Sequence, residues 1–184
     1  PHYTVLRTWF VRISTKTWRA FLGKSAEKRT GHAAIDSTGF DRDQPSRHYA
    51  NRTNYRVRAL KVTALVDVET LYITDIHSTT SKKHDAKIGP QVARRNAGDL
   101  RSLAADRGYD AKSFRDELRE NGIRPLIKHR IMNPLDHAHN ARMNGDRYHQ
   151  RSMSETVFSS IKRTLGSAVR ARSWWLEFRE MLLK

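Results

Sequence analysis

The sequence predicts an α/β fold on a mixed sheet, in the order β-β-β-α-β-α-β-α, with a short basic helical segment in front. Three observations predict it. Apolar and β-branched runs fill three segments between Gly31 and Thr80. Two of these meet at the short polar break Asp67-Val68-Glu69 and read as a hairpin. From His84 onward, helical patterns alternate with short buried runs. A hairpin forces antiparallel pairing and each later helix permits a parallel crossover, so the two together make a mixed sheet.

Taken in order, residues 3–29 are helical in pattern, with Val5, Trp9, Trp18 and Phe21 as apolar anchors and seven Lys or Arg against the single acid Glu27. They read as a helical pair packed on the main domain or as a remnant of a DNA-binding region. His32 to Phe40 is a strand pattern closed by the turn formers Asp36-Ser37-Thr38-Gly39. Tyr55 to Asp67 and Thr70 to Thr80 are the hairpin strands; a phase slip near Ala59 and Leu60 allows a bulge or a strand buried on both faces. His84 to Ala97 is a helix and Ser102 to Asp106 a small buried strand. Asp110 to Asn121 is an amphipathic helix capped by Gly122, and Arg124 to Lys128 is another strand. Residues 129–147 read as a loop rich in His, Asn and Arg, followed by a long helix from about Tyr148 to Leu165 and a last helix from Trp174.

A chain of 184 residues supports one main core. Lys and Arg number 35 against 19 Asp and Glu, a formal charge of +16 spread along the sequence. Such a surface attracts polyanions, nucleic acid foremost, although charge alone leaves function open. No uncharged apolar run approaches the roughly 20 residues that span a bilayer, and no signal-peptide pattern opens the chain. The absence of cysteine excludes disulfides and thiolate zinc sites, which leaves carboxylates and histidines for any metal.

The element order matches the RNase H-like fold. Acids near the ends of its neighbouring first and fourth strands, and one on a later helix, converge there. Asp36, Asp106 and Glu155 occupy those places. Three carboxylates suit a pair of hard divalent cations such as magnesium. Asp67 and Asp75 compete for the first position, but Asp67 falls in the hairpin turn and Asp75 late in the third strand. Tyr148, Arg151, Glu155 and Lys162 are offset by 0, 3, 7 and 14 residues. At about 100° per residue they fall near 0°, 300°, 340° and 320° of one helix, a single face. Met153, Val157, Phe158, Ile161 and Leu165 take the adjoining arc.

The string Tyr148-x2-Arg151-x3-Glu155-x6-Lys162 has the spacing of the Y-R-E-K signature of insertion-sequence transposases. Ile35-Asp36-Ser37-Thr38-Gly39 and Ala105-Asp106-Arg107-Gly108-Tyr109 resemble the first and second aspartate motifs of the same group. From about His32 to Lys184 the chain thus resembles the DDE-type transposases, most closely the insertion sequence five group. The resemblance implies that Asp36, Asp106 and Glu155 are the DDE triad, holding two Mg²⁺ or Mn²⁺ ions, and that Tyr148, Arg151 and Lys162 contact transposon-end DNA. It also implies metal-dependent cleavage at transposon ends and strand transfer into target DNA. The expected partners are double-stranded DNA, as terminal inverted repeats and target, and further copies of the chain in a dimer or larger synaptic complex. Residues 1–31 are expected to be a basic helical segment left from a longer N-terminal region, and 32–184 the catalytic domain, truncated at its C-terminal side. The expected setting is cytoplasmic, on DNA.

Other features carry weaker signals. His129, His137 and His139 with Asp136 suggest a DNA-facing loop or, less well, a zinc site. Arg52, Arg56, Arg58, Lys61, Lys82, Lys83, Arg94 and Arg95 are candidate phosphate contacts, with solvated surface the alternative for each. Trp174, Trp175 and Phe178 read as core or interface residues. The rival functions are an RNase H-like nuclease or resolvase, which hydrolyses without strand transfer, and a catalytically dead DNA-binding remnant.

Overall fold

The structure, a computed structural model, describes residues 2–26, 28–42, 47–53, 58–81 and 83–184. Arg56, Lys82 and the start of the second strand pattern at Tyr55 lie outside the described residues. The sheet has the order β3-β2-β1-β4-β5, with β1 His32–Asp41, β2 Ala59–Asp67, β3 Ile73–Thr79, β4 Ser102–Ala105 and β5 Arg124–Ile127. β1 pairs antiparallel with β2, and β2 with β3, whereas β1, β4 and β5 run parallel. This is the expected mixed sheet, with the first and fourth strands adjacent.

Two apolar layers hold the sheet from opposite sides. One gathers Ile35, Leu65, Leu103 and Ala105 against Ile88 and Val92 of α4 (Asp85–Arg95) and Phe114 and Leu118 of α5 (Lys112–Glu120). The other gathers Phe40, Leu60, Val62 and Ala64 against Phe158 of α8 (Ser152–Leu165) and Met181 and Leu182 of α9 (Trp174–Leu183). β2 is therefore buried on both faces, which accounts for its broken alternation; its register irregularity lies at Leu65/Val66. Each fully buried side chain of this size contributes about 1.5–3 kcal/mol, so the two layers dominate the favourable side of folding.

The basic N-terminal segment forms α1 (Tyr3–Arg12) and α2 (Thr15–Ser25). Trp18 and Leu22 of α2 pack on the second layer, and Arg19 reaches buried Asp75 at 3.2 Å. Asp75 also accepts from Arg95 at 2.7 Å and Asn96 at 2.9 Å, so it ties α2, β3 and α4 together and is no metal ligand. Asp67 likewise serves the fold: it accepts from the Thr30, Glu69 and Thr70 amides. Burial raises its pKa, but those hydrogen bonds outweigh it and hold the carboxyl below its ordinary value.

Several local expectations are corrected. Asp36-Ser37-Thr38-Gly39 is not a turn: β1 continues through it because each residue pairs with β2, Asp36 with Ala64 and Gly39 with Lys61. A short helix α3 (Arg47–Thr53) lies between β1 and β2. Residues 129–147 are not a plain loop. They hold α6 (Pro134–Arg142) and α7 (Gly145–His149), and α6 opens on a capping box in which Asn133 and Asp136 exchange hydrogen bonds. The helix expected from Tyr148 is broken: α7 ends at His149 and α8 starts at Ser152. Between them Arg151, Met153 and Ser154 donate to the carbonyls three residues back, a tighter turn that changes the helical phase. Trp174 and Trp175 are exposed, while Phe178 packs on the second layer.

Candidate active site

The parallel pairing of β1 and β4 sets the first two carboxylates. Ile35 pairs with Ala105, so Asp36 and Asp106 each stand one residue beyond the last register pair of two strands about 4.8 Å apart. Side chains alternate along β1. Ser37 turns toward α4, where its hydroxyl donates to Asp85 at 2.6 Å and meets the Tyr109 hydroxyl at 2.9 Å. Asp36 and Thr38 turn the other way, toward α8, where Lys162 donates to the Thr38 hydroxyl at 2.7 Å. A cavity of about 530 Å³ opens on that side, lined by Asp36, Thr38, Glu155, Phe158, Ser159 and Lys162.

Electrostatics mark the same place. Burial pushes the Asp36 carboxyl up to about 6, against the hydrogen bond from the Ser37 amide, and the negative charge of Asp106, Glu155 and Asp85 pushes the same way. Asp36 therefore lies in the field of both other predicted ligands. The three do not yet close on one point, and among the described residues no three acidic or histidine side chains do. Each outer carboxylate has a local partner: Asp106 accepts from the Gly108 amide at 2.7 Å, and Glu155 from Arg151 at 3.4 Å. Uncompensated carboxylates repel at short range, which favours this spread arrangement.

The four residues expected on one helix face divide. Glu155 and Lys162 lie on α8 and line the cavity together. Arg151 stands just before α8 with its guanidinium over the Tyr148 ring. Tyr148 itself is only 6 % exposed and carries Lys128 above its ring at 4.5 Å. Its surface position is corrected, since the break before α8 turns α7 inward and leaves this ring as a platform for the two cations.

Asp85 was not singled out by its sequence, yet it is the third acid acting on Asp36. Lys61 binds it at 2.9 Å. Burial raises the Asp85 pKa, but the hydrogen bonds from Ser37 and Lys61 outweigh it and keep the carboxyl below its ordinary value. The only sequence signal was an acid in the first turn of a helix, a common stabilising position. Among the other basic candidates, Arg95 is taken by Asp75 and Arg94 by Glu117, both structural pairings. The histidine group is structural too. His129 lies 3.0 Å from Asp136, whose carboxylate caps α6, and stacks on His139 at 3.7 Å.

Residues 27–184 match the family described as transposase DDE domain. No curated protein matches the chain. Among solved structures, one similar fold is the piggyBac transposase in a synaptic complex with hairpin DNA, with a TM-score of 0.55 at 10% identity over 97% of this chain and 52% of that one. Another is a chain of a simian T-cell lymphotropic virus intasome in complex with PP2A regulatory subunit B56 gamma, with a TM-score of 0.38 at 13% identity over 79% and 59%. The chain spans about half the length of the piggyBac transposase chain. No helix among the described residues is long and apolar enough to cross a membrane. With the family matched over residues 27–184, the chain belongs to the transposase DDE-domain family.

Proposed function

We propose that this protein cleaves DNA at transposon ends and joins the freed strand to target DNA. The observation that carries the reading is that Asp36 and Glu155 line one cavity while Asp36 also feels the charge of Asp106, within a chain of the DDE family. Members of this family generally use divalent metal ions, and the donor set here suits them. It offers only carboxylate oxygens, which hard cations such as Mg²⁺ or Mn²⁺ take. Asp36 also carries a charge that burial and its acidic neighbours make costly, and a cation would relieve it. Asp36, Asp106 and Glu155 would hold two such ions. Held by those carboxylates, such ions would supply activation of the attacking oxygen and stabilisation of the leaving one.

The chain's own residues supply the rest. Lys162, above Thr38 in the wall of the cavity, places a positive charge where a phosphate would enter. Arg151, propped on Tyr148, adds a second beside Glu155. The net charge of +16 draws DNA to the surface and gives affinity that falls with salt. Terminal inverted repeats and target duplex are the proposed substrates, handled by a dimer or larger assembly on DNA in the cytoplasm.

The test incubates the protein with Mg²⁺, a duplex of the element's terminal repeat and a target plasmid. Covalent joining of the 3′-hydroxyl end to the plasmid supports the reading. Nicking with no joined product points to a nuclease, and neither product points to a binding remnant.

A further inference from the structure

Three cavities of this molecule share their walls. The one lined by Asp36 and Glu155 shares Ser37 and Thr38 with a second of about 600 Å³, which adds Gly39 and Lys61. That second cavity shares Arg42 and Arg58 with a third of about 490 Å³, closed by Arg170, Arg172 and Glu177. Shared wall residues make the three neighbours around the outer end of β1, with Lys162 in the first and four arginines in the third.

The arginine end is built, not incidental. Glu177, buried at 2 %, accepts from the Arg42 Nε through both carboxylate oxygens at 3.0 Å and so fixes that side chain. The segment carrying Arg170 and Arg172 is tied to β1 by hydrogen bonds between Asp41 and both Ser167 and Val169. Glu180 accepts from the Arg170 and Ala171 amides, and Lys184 donates to the Leu165 and Ala168 carbonyls. The backbone is thereby held in place, while Arg170 and Arg172, both exposed, line a cavity whose described residues include four arginines and one carboxylate.

We propose that these neighbouring cavities form a track for one DNA strand around the outer end of β1, in which Arg42, Arg58, Arg170 and Arg172 hold its phosphates away from the cleavage site. The proposal rests on the function proposed above. Arg42 stands six positions after Asp36, just past the end of β1. At about 3.3 Å per residue that is about 20 Å, long enough for several successive phosphates. An excess of positive charge over that span suits a chain of phosphates better than a single anion. Arginine suits phosphate because its planar fork makes two parallel hydrogen bonds.

The probes are duplexes from the DNA flanking the gene that share about 20 base pairs of terminal repeat and extend about two or about eight nucleotides past the phosphate that the parent protein cleaves. The parent binds the longer duplex about tenfold more tightly, and with a steeper salt dependence. The variant Arg170→Ala/Arg172→Ala loses that gain, lowers the salt slope on the longer duplex by about two units and binds the shorter one as the parent does. Arg170→Lys/Arg172→Lys keeps the slope. Equal loss on both lengths, or no loss on either, overturns the track. Failure of the proposed function reads differently: the parent itself then neither prefers nor cleaves the terminal duplex.

Discussion

The Lys162 ammonium donates to the Thr38 hydroxyl at 2.7 Å, across 124 residues of sequence and two positions along β1 from Asp36. It also lies 5.2 Å from the Phe40 ring. This contact fixes α8 over β1 and leaves a cation in the wall of the cavity. Lys162→Ala should weaken binding to terminal-repeat DNA and flatten the salt dependence of log K by about one unit. Titration across a salt series checks it. An unchanged slope with a lowered melting temperature would make Lys162 a packing residue only.

Asp36 sets a pH dependence with a definite sign. Its carboxyl rises from 3.8 to about 6 on folding, so the folded state favours the protonated form. The resulting cost is absent below the unfolded value, grows as pH rises through about 6 and is complete above it. Without metal, Asp36→Asn should therefore melt higher than the parent at about pH 8, and the difference should vanish toward about pH 4. The parent-minus-variant difference in EDTA isolates this group from the histidines. In the parent, apparent Mg²⁺ affinity should fall as pH drops below about 6, because the ion then competes with a proton.

Gly108 governs the second aspartate. Its amide holds the Asp106 carboxylate at 2.7 Å, and a Cβ there would stand 2.8 Å from the same oxygen. Gly108→Ala must push that carboxylate aside. Cleavage in Mg²⁺ should fall at least about tenfold while thermal stability shifts by less than about 1 kcal/mol. Steady-state nicking beside a melting curve separates the two effects.

Asp75 provides the opposite case. Removing it strands Arg19 and Arg95 beside a buried gap, so Asp75→Ala should cost on the order of 3 kcal/mol. Denaturant titration measures the loss, and the surviving folded fraction should nick DNA normally, because Asp75 is 2 % exposed and committed to α2 and α4.

Element order in the sequence put Asp36 and Asp106 at neighbouring strand positions, and the pairing of Ile35 with Ala105 leaves each one residue beyond that register pair, because strand order is a local pattern that tertiary contacts preserve. Tyr148 shows where that stops. A helical wheel treats Tyr148 to Leu165 as one cylinder, whereas the tightened turn at Arg151 changes the phase and buries the ring. The Asp36-Ser37-Thr38-Gly39 run has turn chemistry, yet pairing with β2 over its whole length overrides that preference. α6 was hidden in polar composition, although Asn133-Pro134 with Asp136 is a helix-start signal. The Ser37–Asp85–Lys61 network joins residues up to 48 apart in sequence, and no local pattern announces it.

The central claim is that Asp36, Asp106 and Glu155 act together on one phosphodiester. The most direct measurement is strand nicking of a terminal-repeat duplex in Mg²⁺ by the parent and by Asp36→Ala, Asp106→Ala and Glu155→Ala, each checked for folding by circular dichroism. The account predicts that all three variants fold, bind the duplex with little loss and fail to nick it, since each removes a metal ligand and none removes a core contact. Parent-like nicking by any one of them would contradict it.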